Sequence, residues 1–351
     1  MKSKLLILSI FSFFLFGEMK AQDPQLVQFY AAPLQLNPAM TGVYPGKWRA
    51  IANYREQWSS ILNTRPFRTI SASFDAKSEV GQGDYVAYGF TALRDEAGQS
   101  NYTRTAVDLS LAFMKQLGGS RYRGFDQYLV GGAQLGFGQH SISPDNLWFS
   151  TQFNTTTEEI DQSIASGETI MGSSDMYLNI NAGLLWYAVF DDNKSLYVGG
   201  ALHHVNQPEV SFIANSSKYS LETKMTAHVG GEIPFSSKLS ILPAVAVISQ
   251  GPSLISLYGA NFRLTNRDWK ELAIRAGAWG HLVKDVEGNI ATPAVTVTTI
   301  LEVENWNFGI SYDIAANQLA PPTNNRGAFE LSVIYYQKSS GRRYKTVCPK
   351  M

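Results

Sequence analysis

The chain has 351 residues, and its 29 Lys and Arg are balanced by 29 Asp and Glu, so the formal net charge at neutral pH is zero. A balanced charge argues against nucleic-acid binding, which requires a basic surface, and we expect no nucleic-acid partner. Charged residues make up only 17% of the chain and aromatic residues 12%, and there are 29 glycines. This composition is typical of a membrane β-barrel or a large β-sandwich and fits a helical enzyme poorly.

Residues 1–21 have the pattern of an export signal. Two lysines precede an apolar stretch over residues 5–16, and Ala21 is a small residue at a suitable cleavage position. We therefore predict a signal peptide over residues 1–21, with cleavage before Gln22. No later segment approaches the roughly 18 apolar residues that a transmembrane helix needs. Any insertion of the mature chain into a membrane would have to use strands.

Residues 22–46 form an irregular, Pro-rich segment, because Pro24, Pro33 and Pro38 fix φ and cannot donate to a ladder of hydrogen bonds. The aromatic and amide side chains of this segment indicate a docking element rather than a spacer, which would be rich in Gly and Ser. The pattern is compatible with three positions: a filler of a barrel lumen, a handle on the periplasmic side, or a strap across the base of the barrel.

Residues 47–338 alternate between apolar and polar side chains. In the first run, Trp48, Ala50, Ala52 and Tyr54 fall on one face of a strand, and charged and amide residues fall on the other. Hydrocarbon offers backbone groups no hydrogen bonds, so β-structure in a membrane must close on itself. The pattern predicts 14 strands, at residues 47–57, 68–77, 85–94, 102–116, 128–142, 175–190, 195–206, 221–233, 239–249, 254–264, 270–283, 292–303, 306–316 and 327–338.

The predicted strands are long enough to cross a bilayer at a tilt, which takes about 9–11 residues. Their even number suits an outer-membrane barrel with both termini in the periplasm, and the connections that follow even strands are short while 143–174 and 206–220 are long. We predict an all-β fold: a transmembrane antiparallel β-barrel over residues 47–338, followed by a basic periplasmic tail over residues 339–351. Aromatic residues near the predicted strand ends suggest interfacial girdles. They are Trp48, Trp58, Tyr85, Trp186, Tyr187, Trp269, Trp279, Trp306, Tyr335 and Tyr336.

The polar face of the predicted strands carries charges of both signs, which suits ion pairs across the lumen at least as well as a charge-selective pore. A barrel of this size has room for a channel unless something fills it. A passive channel is therefore the alternative to a plugged docking protein. The charged residues on this face are Arg49, Arg55, Asp75, Lys77, Arg104, Asp108, Glu222, Lys224, Arg263, Arg275, Glu302, Asp313 and Glu330.

No catalytic, metal or cofactor motif stands out. The chain has no Gly-x-Ser-x-Gly elbow and no His-Glu-x-x-His sequence. His203 and His204 are adjacent at a predicted strand end, where neighbouring side chains point to opposite faces, so a two-histidine metal site is not expected. The glycine pairs at 131–132 and 199–200 lie inside strands, where they relieve crowding or mark kinks. We expect no enzyme activity and no cofactor.

Short motifs stand out at both ends of the mature chain. They are QDPQ (22–25), QFYAAP (28–33), LNPA (36–39), TG (41–42), NYREQW (53–58), SASFD (71–75), GAFELS (327–332) and CPK (348–350). Together they resemble the PorP/SprF family of type IX secretion system outer-membrane proteins. The resemblance implies a role in exporting or placing large adhesins that carry a C-terminal sorting domain, or an association with the periplasmic ring of the secretion machine.

We therefore predict a non-enzymatic barrel of the type IX secretion and gliding machinery, located in the lipid bilayer of the outer membrane. It would dock secreted or surface-anchored proteins with a C-terminal sorting domain and link them to periplasmic and outer-membrane components of the apparatus. Cys348, the one cysteine, would be an unpaired tail thiol or form an intermolecular disulfide. The expected partner-binding residues, of which the last four would tie the segment to the first strand, are Gln22, Asp23, Pro24, Gln28, Tyr30, Pro33, Asn37, Pro38, Arg49, Tyr54, Arg55 and Trp58.

Overall fold

The computed structural model describes residues 23–349, apart from 63–64, 82, 120–124, 145–146, 162, 168–170, 192, 213–218, 266–271, 285–288, 317–319 and 338–347. The predicted signal peptide over residues 1–21, Gln22 and residues 339–347 of the predicted tail lie outside the described residues. Among the described residues, no helix combines the length and the apolar character needed to cross a membrane.

Fourteen long antiparallel strands of the described chain form one closed sheet. They are β1 (Trp48–Gln57), β2 (Phe67–Val80), β3 (Asp84–Ala97), β4 (Tyr102–Gly119), β5 (Asp126–Ser141), β6 (Tyr177–Asp191), β7 (Lys194–His203), β8 (Lys224–Pro234), β9 (Leu239–Gln250), β10 (Ser253–Thr265), β11 (Leu272–Lys284), β12 (Ala294–Val303), β13 (Trp306–Ala315) and β14 (Arg326–Gln337). Each strand pairs with the next one, and β1 pairs with β14 from Trp48–Gln337 to Gln57–Ala328. The predicted barrel and its strand number are confirmed.

Short elements lie outside the sheet. Three single helical turns precede β1: Phe29–Ala31, Pro33–Leu36 and Pro38–Met40. Further helical turns lie in connections, at Ser59–Leu62, Ser150–Gln152 and Ala320–Thr323. Two-residue strands at Phe153–Asn154 and Glu159–Ile160 pair as a small hairpin, and Ile290–Ala291 extends the edge of β11.

The two faces of each strand meet different surroundings. On β4, the side chains of Leu109, Leu111 and Phe113 are exposed on the outer wall, while Ser110 and Met114 are buried in the lumen. The same alternation in the other strands gives an apolar outer band and a largely polar interior, which is the pattern of a membrane barrel.

The predicted aromatic girdles are present only in part. Trp48, Tyr335 and Trp306 pack together on the outer wall, with ring centroids 5.0 and 4.7 Å apart. Tyr187 and Trp279 are buried in the lumen instead. Their placement in a girdle was wrong, because their position in the two-residue alternation of β6 and β11 directs them inward.

The two ends of the barrel differ. Connections after even-numbered strands are short, as between β8 and β9 or β12 and β13, and we name this side the short-turn end. The opposite side, the long-loop end, carries residues 142–176 between β5 and β6 and residues 204–223 between β7 and β8. The predicted asymmetry of the connections is therefore present.

Residues 23–46 fill the lumen, and we call this segment the plug. It begins with Asp23 at the long-loop end, where β4 and β8 start, and reaches the short-turn end where β1 begins at Trp48. Most of its residues are buried, with Gln28, Asn37 and Ala39 fully so. Of the three positions compatible with the sequence, the structure selects the filler of the lumen.

Candidate functional site

Prolines and one asparagine shape the middle of the plug. Pro33 and Pro38 occupy the first positions of their helical turns, where a missing N–H costs no hydrogen bond. Asn37 precedes the second turn, and its side-chain oxygen accepts a 2.8 Å hydrogen bond from the Ala39 N–H. The prolines that exclude a strand in this segment therefore also define its compact fold.

Asn37 ties the plug to three neighbouring strands. Its side-chain nitrogen donates to the carbonyls of Leu184 on β6 at 3.0 Å and Gly200 on β7 at 3.2 Å. The same nitrogen lies 3.1 Å from Nε2 of His228 on β8. One fully buried amide therefore forms hydrogen bonds with backbone groups of both the plug and the wall. A side chain without a polar group at this position would leave the buried carbonyls of Leu184 and Gly200 unpaired.

A row of small residues in the wall forms the seat of the plug. Ala87, Ala112, Gly132, Gly183 and Ala201 are register partners across β3 to β7 and face the lumen. A Cβ atom at Gly132 would lie 2.5 Å from the carbonyl group of residue 38, so only glycine leaves space for the plug backbone there. The expectation that glycines in this strand relieve crowding is confirmed at this position.

Glu330 on β14 fixes the first turn of the plug. Its carboxylate accepts hydrogen bonds of 2.9 Å from the backbone N–H groups of Val27 and Gln28, and Arg55 donates to the same carboxylate at 3.0 Å. A second arm of the Arg55 guanidinium donates to Asp313 at 2.8 Å. Arg55 therefore holds the plug through the carboxylate that it neutralises.

Arg49 and Asp75 hold the end of the plug at the short-turn end. The Arg49 guanidinium donates two hydrogen bonds of 2.9 and 2.8 Å to the Asp75 carboxylate and one of 3.3 Å to the Met40 carbonyl. Asp75 in turn accepts a 2.8 Å bond from the Gly42 N–H. Both ions are buried, so this pair is not screened by solvent in the way that surface ion pairs are.

Asp23 begins the plug inside a cluster of donors. Its carboxylate forms ion pairs with Arg104 and, at 2.7 Å, with Lys224, and it lies 2.9 Å from His204 Nε2. The Asp23 N–H donates to the side-chain oxygen of Gln250 at 2.9 Å. The side-chain nitrogen of Gln250 also donates to the Asp23 carboxylate, at 3.4 Å, so donors from four parts of the wall meet there at the long-loop end.

The structure corrects the prediction that His203 and His204 point to opposite faces. Both are buried in the lumen, His203 with Nε2 3.2 Å from the Leu36 carbonyl and His204 beside Asp23. β7 ends at His203, and His204 has φ +55°, which turns its side chain back inward. The alternation rule fails because the second histidine no longer belongs to the strand.

Cys348 lies in the lumen at the short-turn end. Its thiol is free and buried, 3.5 Å from Lys77 Nζ and 3.8 Å from the Tyr187 hydroxyl. The thiol is enclosed by the barrel, and its pairing with another chain stays a prediction. Lys77 also donates to the Tyr44 carbonyl, so the end of the chain lies directly under the last turn of the plug.

The polar groups in the lumen are arranged to hold the plug. A small cavity of about 80 Å³, partly open to solvent, lies beside Asp23, Pro24 and Gln25 at the long-loop end. Among the described residues, no group of three or more His, Cys, Asp or Glu side chains is placed to hold a metal ion. Chemically, the site can immobilise a peptide segment through ion pairs, amides and close backbone packing.

The described members of the predicted site divide into three groups, and Gln22 lies outside the described residues. Asp23, Gln28, Asn37, Arg49 and Arg55 join the plug to its wall at separate points along its length. Tyr54 and Trp58 do not reach the plug, because the Tyr54 hydroxyl bonds to Glu56 at 2.6 Å and Trp58 packs on Phe67 beyond the end of β1. The remaining plug residues pack within the lumen or line its cavity: Pro24, Tyr30, Pro33 and Pro38.

Several residues that hold the plug were absent from the predicted site. Arg104, Lys224 and Glu330 were expected in the lumen from their alternation, but no sequence pattern links them to Asp23 or Gln28, which are far away in the chain. Trp279 packs edge-on against Phe29 with centroids 5.3 Å apart. The sequence signal for this contact is an aromatic residue at a strand position that faces the lumen.

The sequence matches one family model over most of its length. The model of the family described as type IX secretion system membrane protein PorP/SprF matches residues 18–335. No curated protein sequence matches the chain significantly.

Solved outer-membrane barrels are similar in fold. The deltaS2 mutant of the TodX monoaromatic hydrocarbon channel has a TM-score of 0.53 and 9% identity, covering 88% of this chain and 94% of that chain. The CymD monoaromatic hydrocarbon channel has a TM-score of 0.49, 12% identity and coverages of 89% and 94%. The toluene transporter TodX of Pseudomonas putida has a TM-score of 0.48, 11% identity and coverages of 91% and 99%. At this level of identity, the first likeness supports the barrel fold alone.

Proposed function

Because the chain belongs to the PorP/SprF family of type IX secretion system membrane proteins, we propose that it is a non-enzymatic docking protein of the outer membrane. In this proposal it binds secreted or surface-anchored proteins that carry a C-terminal sorting domain and links them to the secretion apparatus. The family places the chain in the secretion machinery, and the choice of cargo and the docking step are our inference.

The filled lumen is the observation that carries the proposal. A diffusion channel needs a continuous aqueous path, whereas here the plug is bonded to the wall by Asn37, Gln28 and Asp23 along its whole length. Among the described residues, the buried pairs of Arg49 with Asp75 and of Arg55 with Glu330 hold the plug, and Asp23 of the plug is itself paired with Arg104 and Lys224. We therefore expect a partner to bind at the ends of the barrel rather than inside its lumen.

In this proposal, the two ends of the barrel bind different partners. The short-turn end, with the chain end near Cys348, would face the periplasm and meet components of the apparatus. The long-loop end would face outward and meet the exported protein.

Partner binding by the predicted site residues remains a prediction. Gln28 and Asn37 are fully buried against the wall, so a partner reaches them only if the plug leaves its seat. Pro24 is half-buried beside the open cavity and is the member of this group nearest to solvent at the long-loop end. A partner strand that displaced the plug would form hydrogen bonds with the wall groups that now bond to the plug.

A pull-down tests the docking function. The tagged protein is purified from outer membranes in mild detergent, and co-purifying chains are identified and quantified by mass spectrometry. We expect a large exported protein or a component of the secretion apparatus in near-stoichiometric amount. A barrel recovered without partners under several detergents would overturn the proposal.

A conductance measurement separates docking from the alternative of a passive channel. The purified protein is inserted into a planar bilayer and the current is recorded, with an open porin of known conductance as the positive control. The filled lumen leads us to expect silence or brief, small openings. Large and steady conductance from the unmodified protein would favour the channel.

A further inference from the structure

The loop over residues 142–176, at the long-loop end, has a defined internal structure. Gln152 is buried and organises it: its side-chain oxygen accepts from the Phe149 N–H at 3.0 Å and its side-chain nitrogen donates to the Ile164 carbonyl at 2.8 Å. Its backbone carbonyl accepts from the Asp161 N–H at 2.8 Å. One buried amide residue therefore connects distant parts of the loop and presents a fixed surface.

That surface is apolar where a loop in water is normally polar. Trp148, Phe153, Ile160 and Ile164 have 52%, 40%, 43% and 44% of their surface exposed. Phe153 and Ile160 are partners in the small hairpin, and the rings of Trp148 and Phe153 lie 6.3 Å apart. These four residues follow the end of β5 and precede β6, so they lie in a connection outside the strands whose apolar wall the lipid covers. We call them the apolar patch.

The loop that carries the apolar patch has charges of one sign. Residues 142–176 contain six Asp and Glu and no Lys or Arg. Glu158, Glu159 and Asp161 are exposed beside the hairpin. The hydroxyl and N–H of Ser163 donate to Asp161, which holds the pKa of that carboxyl below its usual value and keeps it charged. An acidic border repels anionic head groups, which argues against a membrane surface as the occupant.

We propose that the apolar patch, bordered by Glu158, Glu159 and Asp161, docks a partner protein whose contact surface joins apolar side chains to a basic rim. This inference rests on the proposed docking function and assigns the exported partner to this loop. Interfaces derive much of their affinity from a few exposed aromatic and aliphatic anchors that become buried. Complementary charges at the border steer the partner and exclude acidic surfaces.

Photo-crosslinking tests the partner's chemistry. Phe153→Cys is labelled with a benzophenone maleimide on intact cells, irradiated, and the crosslinked peptides are identified by mass spectrometry. We expect a crosslink to another polypeptide, within a segment that contains Lys or Arg next to apolar residues. Ser237→Cys, exposed at the short-turn end, is the positional control, and the unsubstituted protein, whose Cys348 is buried, gives the background.

Charge reversal separates a specific contact from mere proximity. Glu158→Lys combined with Glu159→Lys, in the Phe153→Cys protein, should lower the crosslink yield on the order of fivefold or more, because attraction at the border becomes repulsion. Heat-modifiable migration on gels confirms that the barrel is intact. Crosslinks to lipid or to the barrel alone, or a yield unchanged by charge reversal, would overturn the inference.

The two proposals fail in distinguishable ways. If Phe153→Cys itself still recovers a stoichiometric partner in the pull-down but gives no protein crosslink, docking stands and the apolar patch is not its site. If neither experiment yields a partner protein, both proposals are wrong. A crosslinked segment that is acidic or uncharged would overturn the assigned chemistry while leaving docking in place.

Discussion

The plug and the loop over residues 142–176 are both irregular, yet they treat polar and apolar groups in opposite ways. In the plug, the charged Asp23 and the amides of Gln28 and Asn37 are buried and bonded to the wall. In the loop, Trp148 and Phe153 stand exposed and charges of one sign border them. The plug bonds its charged and amide side chains within the chain, whereas the loop leaves apolar surface to be covered by another molecule.

This difference indicates that the sequence of the plug is constrained by folding and that of the loop by recognition. Buried ions without a partner are costly, so the plug and its seat restrain each other residue by residue. Exposed side chains on a loop contribute little to folding and can be shaped by recognition. Four variants probe that comparison, from the largest expected effect to the smallest.

Removing residues 24–45 should have the largest effect. The deletion leaves Glu330 and Asp75 without the plug N–H groups that they accept from, and it empties the lumen. We expect large, steady conductance in planar bilayers and a lower unfolding temperature than that of the intact barrel. Unchanged silence in a variant that still shows heat-modifiable migration would show that the plug does not close the barrel.

Arg55→Ala should destabilise the barrel strongly. It leaves the buried carboxylates of Asp313 and Glu330 without their cation, and breaking a buried pair in this way costs about 3–5 kcal/mol. Denaturant unfolding followed by gel migration measures the loss. Arg94→Ala is the matched control, because its ion pair with Glu96 is exposed and worth about 0–1 kcal/mol. Equal losses for the two variants would contradict the assigned role of Arg55.

Gly132→Val and Gly131→Val compare the two faces of β5 at adjacent positions. A side chain at Gly132 collides with the plug backbone at residue 38, while a Cβ at Gly131 has its nearest neighbour, Leu184, at 3.8 Å on the outer wall. We expect overpacking at Gly132 to cost about 1–3 kcal/mol and to raise leak conductance. Gly131→Val should change neither stability nor conductance. Similar behaviour of the pair would argue against the seat.

Phe153→Ala should have the smallest effect on the barrel itself. An exposed loop side chain away from buried networks changes the free energy of unfolding by less than about 0.5 kcal/mol. Retention of the partner in the pull-down should nevertheless fall, since an aromatic anchor is lost. Thr157→Ala, in the same loop and exposed, serves as the control that keeps both stability and partner. A stability loss comparable to that of Arg55→Ala would place Phe153 in the folding core.

The strands and their faces could be predicted because lipid and lumen impose different chemistry at every second residue. That rule located all 14 strands and assigned Arg49, Arg55 and Glu330 to the interior. It failed where the chain leaves the strand, at His204. For Trp279 the alternation rule holds, and the separate expectation of an aromatic girdle failed because the strand position points inward.

The path of the plug could not be predicted, because its contacts join residues that are distant in the chain and share no pattern. Asp23 meets Lys224, and Gln28 meets Glu330, 302 residues away. The segment's prolines indicate irregular structure in any of three places, and only the closed barrel determines which one. Glycines of the seat, such as Gly132, can be read from the sequence. The sequence does not show that the plug backbone occupies the space beside them.

The seam between β1 and β14 imposes an order on assembly. The first and last strands of the barrel pair directly, and the plug that precedes β1 spans the lumen between them and the opposite wall. Once the seam has closed, a segment this firmly enclosed has no lateral route to its position. The N-terminal residues can then enter only from an end of the barrel, whereas in assembly from an open sheet they are already in place and the wall forms around them. In that order of assembly the plug acts as a template inside the barrel, and the pairing of β14 with β1 completes the enclosure.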